Sequence, residues 1–275
     1  MKSEFMKVKF TNRKLWKNYL SVLGMIGILT SFLTIFITIN NDYKLKAGIV
    51  FLIILILVFL YLWYKANRLT SIELNIKGLR VNIFYGDLFD SNDLKLIPFN
   101  EYFDTIVDNV LIAENTLNGK FIKKYYPEVS NLDNQISSAL NGKTYTLNNT
   151  RVLGKKKKYE LGTTIEVENK YLLTAFTHFD NQNRAYLSKG EYLLCLDNLW
   201  KEINRIYAQR DVSIPLLGSG ISRIGNDLSL QDYLEQILNS LKLSNLDNAY
   251  NTKINIVLHE SVKNEINLFE IKSKF

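Results

Sequence analysis

At 275 residues the chain has room for one or two domains. Its 34 Lys and Arg against 27 Asp and Glu give a net charge of +7, yet the first 68 residues alone carry +8, which leaves −1 for residues 69–275. A nucleic-acid-binding fold concentrates positive charge on its folded part, so this distribution excludes nucleic acid as a general partner.

Residues 1–18 form a basic N-terminal segment. No charged residue interrupts Tyr19 to Ile39 or Ala47 to Tyr64. About 20 apolar helical residues cross a bilayer, so the two runs predict a membrane helical hairpin over 19–64, joined by the linker NNDYKLK, Asn40 to Lys46. The first run is too long for a signal-peptide core and has no small-residue cleavage site after it. Lys and Arg dominate before the first run and after the second, which places both termini and the following domain on the cytoplasmic side of the cell membrane. Trp16, Tyr19, Tyr61, Trp63 and Tyr64 fall where interfacial aromatic rings gather. Gly24, Gly27, Ser31 and Thr34 have the small-residue spacing that lets helices pack closely.

From residue 69 the pattern changes to alternating strands and helices. Leu79 to Leu88, Leu94 to Asn100 and Lys170 to Phe179 read as strands, the last apolar enough to be buried on both faces. TYTLNN and GTTIEVEN flank the lysine run GKKKK (Gly154 to Lys158) and suggest a hairpin whose turn is solvated. An amphipathic helix follows from about Lys189 to Ala208. The single cysteine, Cys195, lies in its apolar pattern and reads as core filler; an intrachain disulfide is excluded. Two distant histidines and no cysteine pair signal no metal site. A strand DVSIPLL, a glycine loop, a helix capped by Ser229 and a last strand, Lys253 to His259, complete the series. The expectation is a three-layer α/β domain with a mixed, largely parallel sheet over 69–275.

The glycine loop, SIPLLGSGISRIGND, carries the chemistry. Gly218-Ser219-Gly220 ends an apolar strand, where ligands of open α/β sheets bind. Glycines let backbone N–H groups converge on an anion and let the anion approach closely, and Arg223 adds charge. The spacing fits neither the dinucleotide-binding fingerprint nor a P-loop, so a structural turn stays open on spacing alone. Three weaker signals accompany it. Asp87, after Gly86 at a strand end, can accept from an adenine amino group. Asn100, at another strand end, can meet a ribose hydroxyl, and Gly119-Lys120 in NTLNGKF reads as a second close-approach loop. His178, in AFTHFD, reads as a strand-end hydrogen-bonding residue that can also contact a further group of a ligand.

In this order the four signals resemble a macro domain, the fold that binds ADP-ribose and its derivatives. Gly86-Asp87 is similar to the family's adenine-holding Gly-Asp-Ile, Asn100 to its strand-end Asn at the distal ribose, Asn118-Gly119-Lys120 to its first substrate loop, and Gly218-Ser219-Gly220-Ile221-Ser222 to its diphosphate loop. PFNEYFDT stands where the family has Asn-Ala-Ala-Asn, and the first loop lacks a glycine triplet; hydrolase activity is therefore not expected. With its two N-terminal runs the whole chain resembles the transmembrane–macro effectors of Thoeris antiphage defence, on IPFNEYFDT, NTLNGKF, TAFTHFDNQNRAYLS and IPLLGSGISRIG. That resemblance implies a receptor with no resident cofactor for an ADP-ribose derivative, an amino-acid conjugate such as histidine–ADP-ribose, made by a partner TIR-domain enzyme. It further implies that binding drives homo-oligomerisation, membrane disruption and abortive infection. Two other readings remain: a membrane-tethered ADP-ribosyl hydrolase, with Glu101, Asp104, His178 or Asp180 as its base, and a passive membrane anchor.

Overall fold

The computed structural model describes residues 7–37, 39–180, 182–206, 210–220, 223–224 (backbone only), 228–246 and 252–275. It divides into two compact units, one formed by the N-terminal 70 residues with Asn267–Phe275, the other by Ser71–Ile266. The expected domain of 69–275 thus gives up its last nine residues to the N-terminal unit.

In the N-terminal unit, α1 (Arg13–Thr34) is capped by Asn12, whose side chain accepts from the backbone N–H groups of Lys14 and Leu15. Helix α2 (Asn41–Asn67), capped by Asn40, packs against it, the Leu55 carbonyl accepting from the Tyr19 hydroxyl. Helix α2 is long and apolar enough to cross a membrane, and among the described residues it is the one helix that is. Of the run expected to span at 19–39, α1 covers the part up to Thr34. Helix α1 ends at Thr34, and Asn40 caps the start of α2. The uncharged helical run of α1, Asn18 to Thr34, covers about 26 Å, short of a hydrocarbon core of about 30 Å. The expected linker Asn40 to Lys46 is, from Asn41 on, the first turn and a half of α2. At Gly24 and Gly27 an added Cβ would meet nothing within 4 Å, so neither glycine serves helix packing inside this chain.

The start of α1 and the end of α2 are tied together by aromatic rings and by the last helix of the chain. Phe10 stacks on Trp63 at 4.1 Å, and Trp16 and Tyr19 both pack on Phe59. Trp63 Nε1 donates to the Val8 carbonyl, and Val8 N donates to Asn67 Oδ1. The last helix, Leu268–Lys274, adds Phe269 to the Val8–Leu15–Ala66 cluster, and Asn267 Nδ2 donates to the Lys7 carbonyl.

The second unit begins with β1 (Ser71–Ile76) and β2 (Leu79–Tyr85), then β3 (Leu94–Asn100), α3 (Leu117–Tyr125) and α4 (Val129–Ala139). There follow β4 (Tyr145–Leu147), β5 (Lys157–Tyr159), β6 (Thr164–Val167), β7 (Tyr171–Phe179), β8 (Ala185–Leu187) and α5 (Lys189–Ile206). The unit closes with β9 (Val212–Pro215), β10 (Arg223–Ile224), α6 (Leu230–Leu243) and β11 (Lys253–Leu258). The main sheet runs β1-β2-β11-β9-β3-β7-β8-β10, with β6 also on β7. Strands β2, β11, β9, β3 and β7 are mutually parallel; β1, β6 and β8 join antiparallel. The mixed α/β sheet expected from sequence is observed.

Alternation along the strands assigns the layers. Ile97, Phe99, Leu173 and Ala175 share one core with Phe121 and Ile122 of α3 and Leu132 and Ile136 of α4. Phe176, of the opposite parity, meets Tyr192 of α5, which in turn meets Tyr233 of α6. Ser229 and Asp232 make the predicted reciprocal capping box at the start of α6. Cys195 is buried, and burial pushes its thiol well up, as core filler requires.

The expected hairpin of TYTLNN with GTTIEVEN does not form. Tyr145–Leu147 pairs instead with Lys157–Tyr159, so part of the lysine run is itself a strand, while Thr164–Val167 pairs with β7.

At the amino edge of the sheet a polar knot ties the strand starts. Asp93 Oδ2 accepts from Ser91 Oγ, Ser213 Oγ and Asn255 Nδ2 at 2.6–2.8 Å, and Lys95 Nζ donates to the Ser91 and Asp93 carbonyls. Burial pushes the Asp93 carboxyl up, but the hydrogen bonds from Ser213, Ser91 and Asn255 together outweigh it, and the net shift is downward.

Candidate ligand-binding loops at the carboxyl edge

Because five strands are parallel, the loops leaving β2, β11, β9, β3 and β7 share one edge of the sheet, the edge where open α/β folds bind ligands. Gly86 N closes onto the Leu258 carbonyl at 2.9 Å, and the chain then turns at Asp87. Asp87 caps a short 3-10 turn, its Oδ1 accepting from Phe89 N at 2.9 Å. The residue is exposed, so the second carboxylate oxygen is available to an amino group beyond the strand.

The loop after β9 is anchored from below and open above. Tyr192, fully buried, donates its hydroxyl to the Leu217 carbonyl, and Ser219 Oγ donates back to the Leu216 carbonyl. Gly218 has φ +89°, a left-handed conformation that glycine adopts without strain. Ser219 and Gly220 are exposed, and a Cβ at Gly220 would meet nothing within 4 Å. Ile221 and Ser222, also expected to hold ligand, lie outside the described residues. Of Arg223 the backbone is described, in parallel pairing with Tyr186 of β8.

Other expected residues turn inward. Asn100 is buried, its Oδ1 accepting from the backbone of Tyr102 and Asp104 and its Nδ2 donating to Asp104 Oδ2. It shapes the loop after β3, because three partners along that loop claim its amide. Gly119 and Lys120 lie in the first turn of α3, not in a loop, because Thr116 Oγ1 accepts from Gly119 N and starts the helix there. The missing Cβ of Gly119 makes room for the Ala113 carbonyl, which a Cβ would approach to 2.3 Å. Lys120 is exposed on the same turn.

The loop after β3, NEYFDT, encloses two buried carboxylates. Glu101 is met by Lys158 Nζ at 3.0 Å, by His178 Nδ1 and by Phe179 N. His178 Nε2 lies 3.3 Å from Glu191 Oε1, so both ring nitrogens face carboxylates, one from the β3 loop and one from the start of α5. Hydrogen bonds from the Ser188 side chain and backbone hold the Glu191 carboxyl below its usual range, with His178 adding to them. Asp104 takes a two-point pair from Arg151, Nη2 to Oδ2 at 2.6 Å and Nη1 to Oδ1 at 3.2 Å, and a third bond from Lys155 N. Lys155 Nζ reaches the Phe103 carbonyl and Asp133. Phe103 itself holds φ +52°, a conformation costly for a bulky side chain and kept here by full burial.

The lysine run is therefore only partly a solvated turn: Lys155 pairs with Asp133, Lys158 with Glu101, and Arg151 just before the run with Asp104. Sequence reading missed this role. The available signal was a pair of acids, Glu101 and Asp104, within an otherwise apolar strand end, since buried carboxylates need cations. A surface depression of 430 Å³ lined by Asn134, Gln135, Ser138, Glu166 and Glu168 opens at the opposite edge, beside the start of β7, and its acids oppose phosphate. Among the described residues no cluster of His, Cys, Asp and Glu fits a metal ion.

Residues 81–259 match the family described as Thoeris protein ThsA, Macro domain. The chain is 38% identical over 227 residues to the Thoeris protein ThsA of Bacillus amyloliquefaciens (strain Y2), covering 80% of this chain and 75% of that protein. Among solved structures it is similar to an Oceanobacillus iheyensis macrodomain mutant with ADPR, at a TM-score of 0.51 and 14% identity, covering 74% of this chain and 98% of that one. The third likeness carries the fold alone; the first two, joined to a parallel sheet with an open glycine loop at its carboxyl edge, show that the chain belongs to the ThsA macro-domain family.

Proposed function

We propose that this chain is a membrane-anchored receptor of bacterial antiphage defence, whose macro domain binds an ADP-ribose derivative and whose helical hairpin delivers the response to the membrane. The observation that carries the reading is the loop after β9: a left-handed Gly218 followed by exposed Ser219 and Gly220 with open space above, at the edge where diphosphates bind. Asp87 supplies an exposed carboxylate at the same edge for adenine. The membrane part is supported by α2 and by the exposed apolar side chains of α1, among them Ile28, Leu29 and Phe32. In this reading α1 accompanies α2 through the bilayer, both termini are cytoplasmic, and ligand favours a homo-oligomer by binding it better than the monomer. The signal is an amino-acid conjugate of ADP-ribose from a TIR-domain enzyme, with His178 and Lys120 among its contacts. Receptor rather than hydrolase is supported by the engagement of Glu101 and Asp104, each buried and ion-paired, which leaves neither to take a proton from a ribose.

The test is calorimetry on the full chain in nanodiscs with ADP-ribose, NAD and histidine–ADP-ribose, repeated on Gly220→Glu. One ligand should bind in the micromolar range or tighter. Setting a carboxylate against a diphosphate should weaken it by about 100-fold or more. Binding by none of the three would leave the passive anchor as the better account, and turnover of a bound ADP-ribosyl group would favour the hydrolase.

A further inference from the structure

The turn between β4 and β5 inverts the usual placement of side chains. Arg151 is 7% exposed, whereas its neighbours Val152 and Leu153 are 91% and 49% exposed. Tyr145 and Leu147, on the strand that leads into the turn, are exposed as well. The base beneath this apolar tip is fixed. Arg151 pairs with buried Asp104 at two points and lies 3.8 Å over the Tyr102 ring, and Lys155 binds Asp104, Asp133 and the Phe103 carbonyl. Gly154 has φ +84°, and a Cβ there would stand 2.6 Å from Asp104 Oδ1. The turn therefore cannot fold its two aliphatic side chains back without breaking buried ion pairs. Beside the tip, Lys156 and Lys157 are exposed, and no acid among the described residues pairs with either; Lys157 Nζ lies over the Tyr145 ring at 4.6 Å.

Rigidly presented aliphatic groups rimmed by unpaired cations match one kind of surface, apolar beneath an anionic skin. We infer that Val152 and Leu153 form a membrane-contacting tip, entering the headgroup region of an anionic bilayer while Lys156 and Lys157 meet lipid phosphates. Only Arg68, Leu69 and Thr70 separate α2 from β1, so the domain that carries the tip is held within about 10 Å of chain from the end of the membrane-crossing helix. The inference rests on the membrane reading above; the tip would make the macro domain sense the bilayer directly as well as through its tether.

The experiment uses the full chain with Val152→Cys, labelled with an environment-sensitive fluorophore. Buried Cys195, with its thiol pushed up by burial, is inert to the label. The protein is reconstituted into vesicles of phosphatidylcholine, with or without phosphatidylglycerol. Flotation with either vesicle reports the anchor. A blue-shifted emission that appears only with phosphatidylglycerol, and that a nitroxide on the lipid chain quenches, reports the tip. Lys156→Glu with Lys157→Glu should lower the ratio of inserted to free tip by more than about tenfold without affecting flotation. A label at Leu243→Cys, another strongly exposed site, on α6, should stay in water. Flotation with an unshifted Val152 label overturns the tip and leaves the anchor standing. A shift that grows with protein density and ignores the lipid nitroxide assigns the tip to a second copy of the chain and also overturns it. Failure to float removes both.

Discussion

Two loops leave neighbouring parallel strands of the same sheet edge, and they are built in opposite ways. The loop after β3 closes on itself: Asn100 spends its amide on the loop, Phe103 is held left-handed, and Glu101 and Asp104 are buried against the side chains of Arg151, Lys158 and His178. The loop after β9 has one buried anchor, Tyr192 on the Leu217 carbonyl, and then runs in the open through Ser219 and Gly220. In the macro-domain resemblance both positions face the ligand. Here the first has become a structural plug that supports the β4–β5 turn, and the second keeps the conformational freedom that a phosphate cradle uses.

The largest expected effect breaks the closed loop. Asp104→Ala leaves the Arg151 guanidinium buried without its partner and should cost about 3–5 kcal/mol in urea unfolding. The double change Asp104→Leu with Arg151→Met should recover much of that loss, because removing both charges also removes their desolvation penalty. A single-mutant loss under about 1 kcal/mol would mean that solvent already reaches the pair and that the two loops are not so different.

A smaller effect should come from the knot at the other edge, which holds the starts of β3, β9 and β11 whatever their loops do. Asp93→Asn should cost about 2 kcal/mol, the range for hydrogen bonds to a charged group. Since the folded Asp93 carboxyl sits below its unfolded value of about 4, its contribution is complete above that pH and is lost as pH falls through the folded value. Melting temperature followed from about pH 6 to about pH 3 should therefore fall more steeply for the native chain than for Asp93→Asn. Parallel curves would assign the acid sensitivity to other carboxylates.

The open loop should respond least in stability. Gly218→Ala forces a Cβ into a left-handed position and should cost about 1–2 kcal/mol. Gly220→Glu, facing open space, should leave the unfolding midpoint within about 0.5 kcal/mol of the parent while removing ligand binding. If Gly220→Glu instead melts the domain, the loop is packed in solution and is no cradle.

Features with a local cause were legible before the structure. The strand Leu94–Asn100 was bounded by its own apolar run, and the cap Ser229–Asp232 is a contact three residues long. The open glycine loop was readable for the same reason, since glycine permits φ +89° at Gly218 whatever surrounds it. The helices α3 and α4 were missed because their apolar faces are short and interrupted, with Phe121 and Ile122 on one and Leu132 and Ile136 on the other. The strand pairing of the lysine run was missed because polar strands of three residues carry no alternation to read.

The sequence by itself determined what one segment can decide: an apolar helix of membrane length in α2, the parallel α/β order, and glycines where the chain turns after β9. Family membership followed from the same segments. Only the tertiary structure decided which polar residues remain available to a ligand. Asn100 and Glu101 read from sequence as candidates for the ribose end, yet Asn100 is held by its own loop, and Glu101 by Lys158 and by His178, the latter 77 positions away. A polar side chain at a strand end is free or committed according to what the rest of the chain brings beside it, because a buried charge must find its counter-charge wherever the fold supplies one.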